Sequence, residues 1–209
     1  MDRFLFVCWS AIPFYYNPRL LNEPQLITAL QRREEPAFAA LVADYQPMVY
    51  NTVLGLVQHA EDAEDITQEV FVQVYQSIGF FKGECRLSTW VYRICITKSL
   101  DWIKHRQRKK RFGIVLGIFG SNNEPASQLS DFYHPGVQLA NKERAAVLFK
   151  AIQQLPENQR VAFVLQKLEG LGQMEIAEVM KQSEGAVESL LQRAKQNLRK
   201  LLRDYYETE

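Results

Sequence analysis

The chain has 209 residues, 47% of them hydrophobic and 23% charged, with a formal net charge of +1. That composition fits one or two small folded domains and excludes a disordered chain; no apolar run approaches the roughly 18 residues needed to span a bilayer. Three widely spaced cysteines (Cys8, Cys85 and Cys95) and three histidines form no CxxC pair or ligand set. Neither disulfide nor zinc is indicated, and the thiols read as reduced.

At the N-terminus, Phe4–Phe14 follows Arg3 and superficially resembles a secretory signal. It lacks a small-x-small cleavage site, and Pro13, Tyr15 and Tyr16 interrupt it, so residues 1–25 read as an unstructured leader or an overlong start to the reading frame. The protein is expected to stay in the cytoplasm. Beyond the leader, helical spacing dominates. Phe38, Leu41, Val42, Tyr45 and Val49 step at three and four residues, with Pro47 expected to kink or restart the helix; Ile66, Val70, Val74 and Ile78 step likewise. A third helix is expected from about Arg86 to Arg111. Between Phe112 and Leu139 lie Gly113, Gly117, Gly120, Pro125, Pro135 and Gly136, the density of breakers that marks a linker. Helical spacing resumes from Asn141 to Tyr205. The expected architecture is all-α: a leader (1–25), a helical domain (26–111), a flexible linker (112–140) and a second helical domain (141–209).

The near-neutral total hides segregated charge. Glu61, Asp62, Glu64, Asp65 and Glu69 crowd an acidic segment, Lys104–Arg111 a basic one, and Arg193–Arg203 a second basic one. Distinct partners on distinct surfaces are the expected use of such patches. Acids near the start of a helix oppose its dipole favourably, but five in nine positions exceed that purpose. The segment is a solvated face, a docking surface for a basic partner, or a divalent-metal site on Glu61, Asp65 and Glu69 at i, i+4 and i+8.

On the helix from Arg86, Val91, Tyr92, Cys95, Ile96, Trp102 and Ile103 share an apolar arc. Arg86, Thr89, Trp90, Arg93, Thr97, Lys104 and Arg108 share the other. Trp90 among cations offers the stacking surface and phosphate neutralisation that unstacked bases need; equally, it could pack against a neighbouring helix. Residues 172–203 have the pattern of a helix-turn-helix. Ile176, Ala177 and Met180 face the core from a short helix, Lys181–Ser183 turn, and Ser183 caps a longer helix with Val187, Leu190, Leu191, Ala194, Leu198 and Leu201 inward. Ser189, Gln192, Arg193, Gln196, Lys200 and Arg203 point away, suited to base edges and phosphates. A plain helical hairpin with a basic face has the same pattern.

In this order the pieces resemble the extracytoplasmic-function (ECF) group of sigma factors, within the sigma-70 family of bacterial RNA polymerase. DAEDITQEVFVQVY (62–75) looks like the family's core-polymerase-binding helix, and FKGECRLSTWVYRICITKSLDWIKHRQRKKR (81–111) like its promoter-melting and −10 segment. LPENQRVAFVLQKLEGLGQMEIAEVM (155–180) and SEGAVESLLQRAKQNLRKLL (183–202) look like the domain that reads the −35 element. The resemblance implies a transcription-initiation subunit, not an enzyme, with no catalytic residue, cofactor or metal. It implies that Asp62, Glu64, Asp65, Gln68, Glu69 and Phe71 bind core polymerase. Arg86, Ser88, Thr89, Trp90, Arg93, Thr97, Lys104 and Arg108 would bind melted −10 DNA. Ser183, Gly185, Ser189, Gln192, Arg193 and Gln196 would bind the −35 duplex. The implied partners are core RNA polymerase (the largest subunit's clamp helices and the flap region), promoter DNA and an anti-sigma factor, with no membrane insertion. Thr97, Ala186 and Glu188 depart from the family's usual asparagine, threonine and basic residue, so the promoter sequence does not follow from the pattern.

Overall fold

The computed structural model describes residues 22–115 and 142–206. The leader's first 21 residues and most of the linker lie outside them. The described residues are helical throughout, in two groups: α1 (Glu23–Gln31), α2 (Glu35–Val57), α3 (Ala60–Ser77) and α4 (Leu87–Val115), then α5 (Lys142–Gln153), α6 (Glu157–Lys167), α7 (Gln173–Met180) and α8 (Glu184–Tyr206). A single 3-10 turn, Ile78–Phe80, extends α3.

The first group corrects the sequence reading at both ends. The leader was expected to run to residue 25, but α1 begins at Glu23 behind a complete capping box. Asn22 Oδ1 accepts from the Gln25 amide at 3.1 Å, and the Gln25 side chain accepts from the Asn22 amide at 3.3 Å. α1 is also a brace. Glu23 Oε1 accepts from the Leu87 amide at 2.8 Å, occupying an orphan donor at the start of α4, and Gln31 donates to the Phe81 carbonyl at 2.9 Å. At the other end, α4 continues to Val115, four residues into the expected linker. Pro47 does not restart α2, which runs through it.

α1 to α4 enclose one core, with Leu41, Val49, Val53, Ile66, Val70, Val74, Leu87, Val91 and Cys95 at 2% exposure or less. α5 to α8 enclose a second around Phe149, Ile152, Val161, Leu165, Ile176, Val187, Leu191 and Ala194. The two touch. Leu56 of α2 and Tyr92 of α4 are buried in the second core, and Met48, Ile96 and Leu100 pack against it.

Three chain reversals between helices use left-handed residues that are not glycine, Arg33, Gln58 and Lys181, at φ 60°, 59° and 55°, while Gly83 and Gly170 serve two others. After α1 and after α7 the same pair of bonds closes the helix. Glu34 and Gln182 donate to Ala29 and Ala177 five residues back, and Arg33 and Lys181 donate to carbonyls three back.

Candidate polymerase and nucleic-acid interfaces

The acidic segment lies on the first half of α3. His59 caps the helix, its Nδ1 accepting from the Asp62 amide at 3.4 Å. Asp62 is held locally, its carboxylate 2.8 Å from His59 Nδ1 and 3.4 Å from Arg106 Nη1 of α4. Glu64, Asp65, Gln68 and Glu69 are exposed, with Glu69 3.5 Å from Lys98. Phe71 does not share this face. At 8% exposure it belongs to the first core, because its position in the 3.6-residue repeat falls beside Val70 and Val74. Among the described residues no group of three or more His, Cys, Asp or Glu side chains is placed to hold a metal ion.

The loop before α4 and the helix itself carry the expected strand-binding residues, and the structure divides them. Arg86, Thr97, Lys104 and Arg108 are exposed and Ser88 is half-buried. Thr89 is not on the polar face: at 5% exposure it turns into the domain. Trp90 packs on the first core and against Phe81, ring centroids 5.1 Å apart at 44°, yet stays half-buried. Phe80, 82% exposed at the end of the 3-10 turn, is an aromatic surface that the wheel of α4 could not reveal, since it lies outside that helix. Its only sequence signal is the Phe80-Phe81 pair, of which one ring packs inward and the other is left out.

Several cations of α4 already have partners. Arg93 Nη2 donates to the Glu178 carbonyl at 2.7 Å, Nε to the Val179 carbonyl at 3.3 Å and Nη1 to Cys85 Sγ at 3.4 Å. Lys104 pairs with Glu157 at 3.1 Å, and Arg86 lies 3.7 Å from Glu175.

In the second group, α7, the turn 181–183 and α8 form the helix-turn-helix. Ser183 Oγ accepts from the Ala186 amide at 3.3 Å, capping α8 as expected, and Glu175 Oε2 accepts from the Gly172 amide at 2.9 Å at the head of α7. Val187, Leu191, Ala194 and Leu198 are buried, but Leu201, expected on the same core face, is 40% exposed in the last turns of α8, beyond the end of the buried stripe. Ser183, Gly185, Ser189, Gln192, Arg193 and Gln196 are all exposed on one side. Ser189 spends its hydroxyl proton on the Gly185 carbonyl at 2.9 Å, leaving it an acceptor toward DNA.

Two family models match these two groups: Sigma-70 region 2 over residues 41–109 and Sigma-70, region 4 over residues 145–198. The RNA polymerase sigma-H factor of Pseudomonas aeruginosa is 33% identical over 181 residues, 87% of this chain and 94% of that protein. This chain belongs to the sigma-70 family. Within it, the ECF RNA polymerase sigma-E factor of Escherichia coli K12 is 30% identical over 176 residues, 84% of this chain and 92% of that one, placing the chain in the ECF group. The fold is that of solved sigma structures. CnrH in complex with the cytosolic domain of CnrY matches with a TM-score of 0.62 at 21% identity, over 87% of this chain and 97% of that one. The sigma factor RpoE of Bartonella quintana, in complex with the anti-sigma factor NepR, matches at 0.60 and 19% identity, over 79% and 96%.

As a sigma factor, the chain thus carries region 2 on α2 to α4 and region 4 on α5 to α8, with α1 as an additional brace on region 2 ahead of the matched segment. No helix among the described residues is long and apolar enough to cross a membrane.

Proposed function

We propose that this ECF sigma factor is a non-catalytic, cytoplasmic specificity subunit that docks on core RNA polymerase and directs it to particular promoters. The observation that carries the reading is the division of labour between exposed faces: carboxylates on α3 of region 2, and hydrogen-bonding and cationic side chains on α8 of region 4. Glu64, Asp65, Gln68 and Glu69 meet core, with Asp62 contributing through its ion pair with Arg106. Trp90, Arg93, Arg86, Lys104 and Arg108 hold the melted −10 strand, with Phe80 as a further stacking surface. Ser189, Gln192, Arg193 and Gln196 read the −35 duplex, while Ser183 and Gly185 present the helix N-terminus to phosphate. The domains expected at 26–111 and 141–209 take in α1 from Glu23 and α4 to Val115 on the first side, and two weak readers on one tether gain from effective concentration. Two of its structural neighbours are held by CnrY and by the anti-sigma factor NepR, which supports an anti-sigma partner here as well.

The test is reconstitution with core polymerase followed by run-off transcription from genomic fragments. Asp65→Lys with Glu69→Lys should abolish co-elution with core. Arg193→Ala should keep core binding and lower transcription from −35-dependent promoters about 5- to 150-fold, the equivalent of losing one good base contact at roughly 1–3 kcal/mol. Absence of core binding and of transcripts by the unaltered protein overturns the reading.

A further inference from the structure

The reading helix of region 4 is divided along its length. Its cations lie in the second half, where Arg193, Lys195, Arg199 and Lys200 are all exposed. The first turns carry none. Glu184 and Glu188 are exposed there instead, and no ion pair among the described residues neutralises either. Glu188 precedes Gln192 by one turn, which sets it about 40° round the helix, at the edge of the face that also holds Ser189. Ser189 adds to the asymmetry. Its hydroxyl proton goes to the Gly185 carbonyl at 2.9 Å, so toward a base it can only accept. An ionised carboxylate likewise accepts only. Two neighbouring side chains at the start of α8 therefore ask for donors.

In the major groove the donors are few. Cytosine offers its N4 amino group and adenine its N6 amino group, whereas guanine and thymine present acceptors. Cytosine suits a carboxylate better than adenine, whose N7 acceptor stands beside the N6 donor. We propose that Glu188 and Ser189 are specificity-determining residues: Glu188 selects cytosine, and Ser189 cytosine or adenine, at neighbouring positions of the −35 element. This rests on the reading of α8 as the −35 helix and adds the base chemistry that the reading leaves open. The Glu188 contact is a charge-assisted hydrogen bond from the cytosine amino group. Exclusion does as much as attraction, since guanine or thymine sets acceptor against acceptor and leaves a desolvated carboxylate without a partner. The cations further along α8 hold the phosphates and offset the repulsion that Glu188 meets from the backbone.

The experiment assembles the full-length chain with core polymerase and takes a promoter that supports run-off transcription. Its −35 element is randomised, its −10 element is kept, and the templates that yield transcript are sequenced. The unaltered protein should enrich cytosine at one position and cytosine or adenine at its neighbour, on the strand facing α8. Guanine and thymine there should be disfavoured about 5- to 150-fold. Glu188→Arg replaces an acceptor with paired donors and should switch the first position to guanine, leaving its neighbour unchanged. Ser189→Ala should flatten the neighbour alone. Both residues are exposed, and circular dichroism verifies that each variant keeps its helices. Identical base preferences in the unaltered protein and in Glu188→Arg overturn the proposal. So does an equal gain of transcription from every sequence in Glu188→Ala, which makes the carboxylate a plain repulsive charge. Both failures leave an active holoenzyme with preferences elsewhere in the element, whereas failure of the −35 reading itself shows as no base preference anywhere in it.

Discussion

α4 and α8 have similar make-up: each sets an apolar stripe against a face of cations and hydrogen-bonding side chains, and by sequence each is a candidate for nucleic acid. In the fold they part. All six reading positions on α8 face solvent. On α4 one such position is buried (Thr89), one is packed against Phe81 (Trp90), and three cations, Arg86, Arg93 and Lys104, lie against residues of region 4. A helical face written in charge does not announce whether it is available. That depends on what another element brings nearby, here the Glu178 and Val179 carbonyls at the end of an eight-residue helix.

The largest way to break this comparison is to remove one side of it. Val187 is fully buried beneath the α8 face, and Val187→Asp should cost about 4 kcal/mol or more by burying a carboxylate without a partner. Circular dichroism should lose the region 4 helices while co-elution with core persists through α3; retention of full helicity would contradict the placement of Val187.

The packing of the two helical groups on each other should depend on pH. Burial raises the Glu169 carboxyl from 4.5 to about 7, with the Tyr92 and Thr52 hydroxyls pulling it part of the way back. Facing it are Tyr92 and Cys95 from α4 and Thr52 from α2, and burial raises both the Tyr92 and Cys95 groups too. Because Glu169 holds a proton when packed that it releases when exposed to water, this packing is strongest below about pH 4.5 and weakens as pH rises to about 7, by up to about 3 kcal/mol. Interdomain energy transfer should fall over that window in the unaltered chain, and Glu169→Gln should flatten the profile.

Smaller effects sharpen the supports of each face. Asn22→Ala removes the capping box of α1 and should cost about 1 kcal/mol, read as a lower Tm for region 2 with region 4 unchanged. Lys181→Gly relieves a left-handed residue in the turn below α8 and should stabilise region 4 by roughly 0.5–1 kcal/mol. A lower Tm in that variant would mean the Lys181 side chain contributes more than its backbone costs.

Much of this was readable in advance where the signal is local. The apolar steps along α3 and α8, the Ser183 cap and the breaker-rich stretch after α4 each depend on residues within a few positions of one another. The α1 cap was equally local, as Asn22-Glu23-Pro24-Gln25 is a start signal in its own right, and it was passed over for the apolar run before it. The misplacement of Thr89 comes from reading a wheel without its neighbours: at 5% exposure it lies on the inward side of the border that the wheel drew for the polar face.

By itself the sequence determined the helices, the two-domain order, the family and the acidic and cationic faces, because periodicity, caps and charge clusters are short-range properties of the chain. Only the tertiary structure decided that α1 braces α4, that Trp90 packs against Phe81 with Phe80 left exposed, and that Arg93 crosses to α7. Those contacts join residues 64, 9 and 85 positions apart in sequence, numbers set by which orphan groups and apolar patches meet once the helices pack.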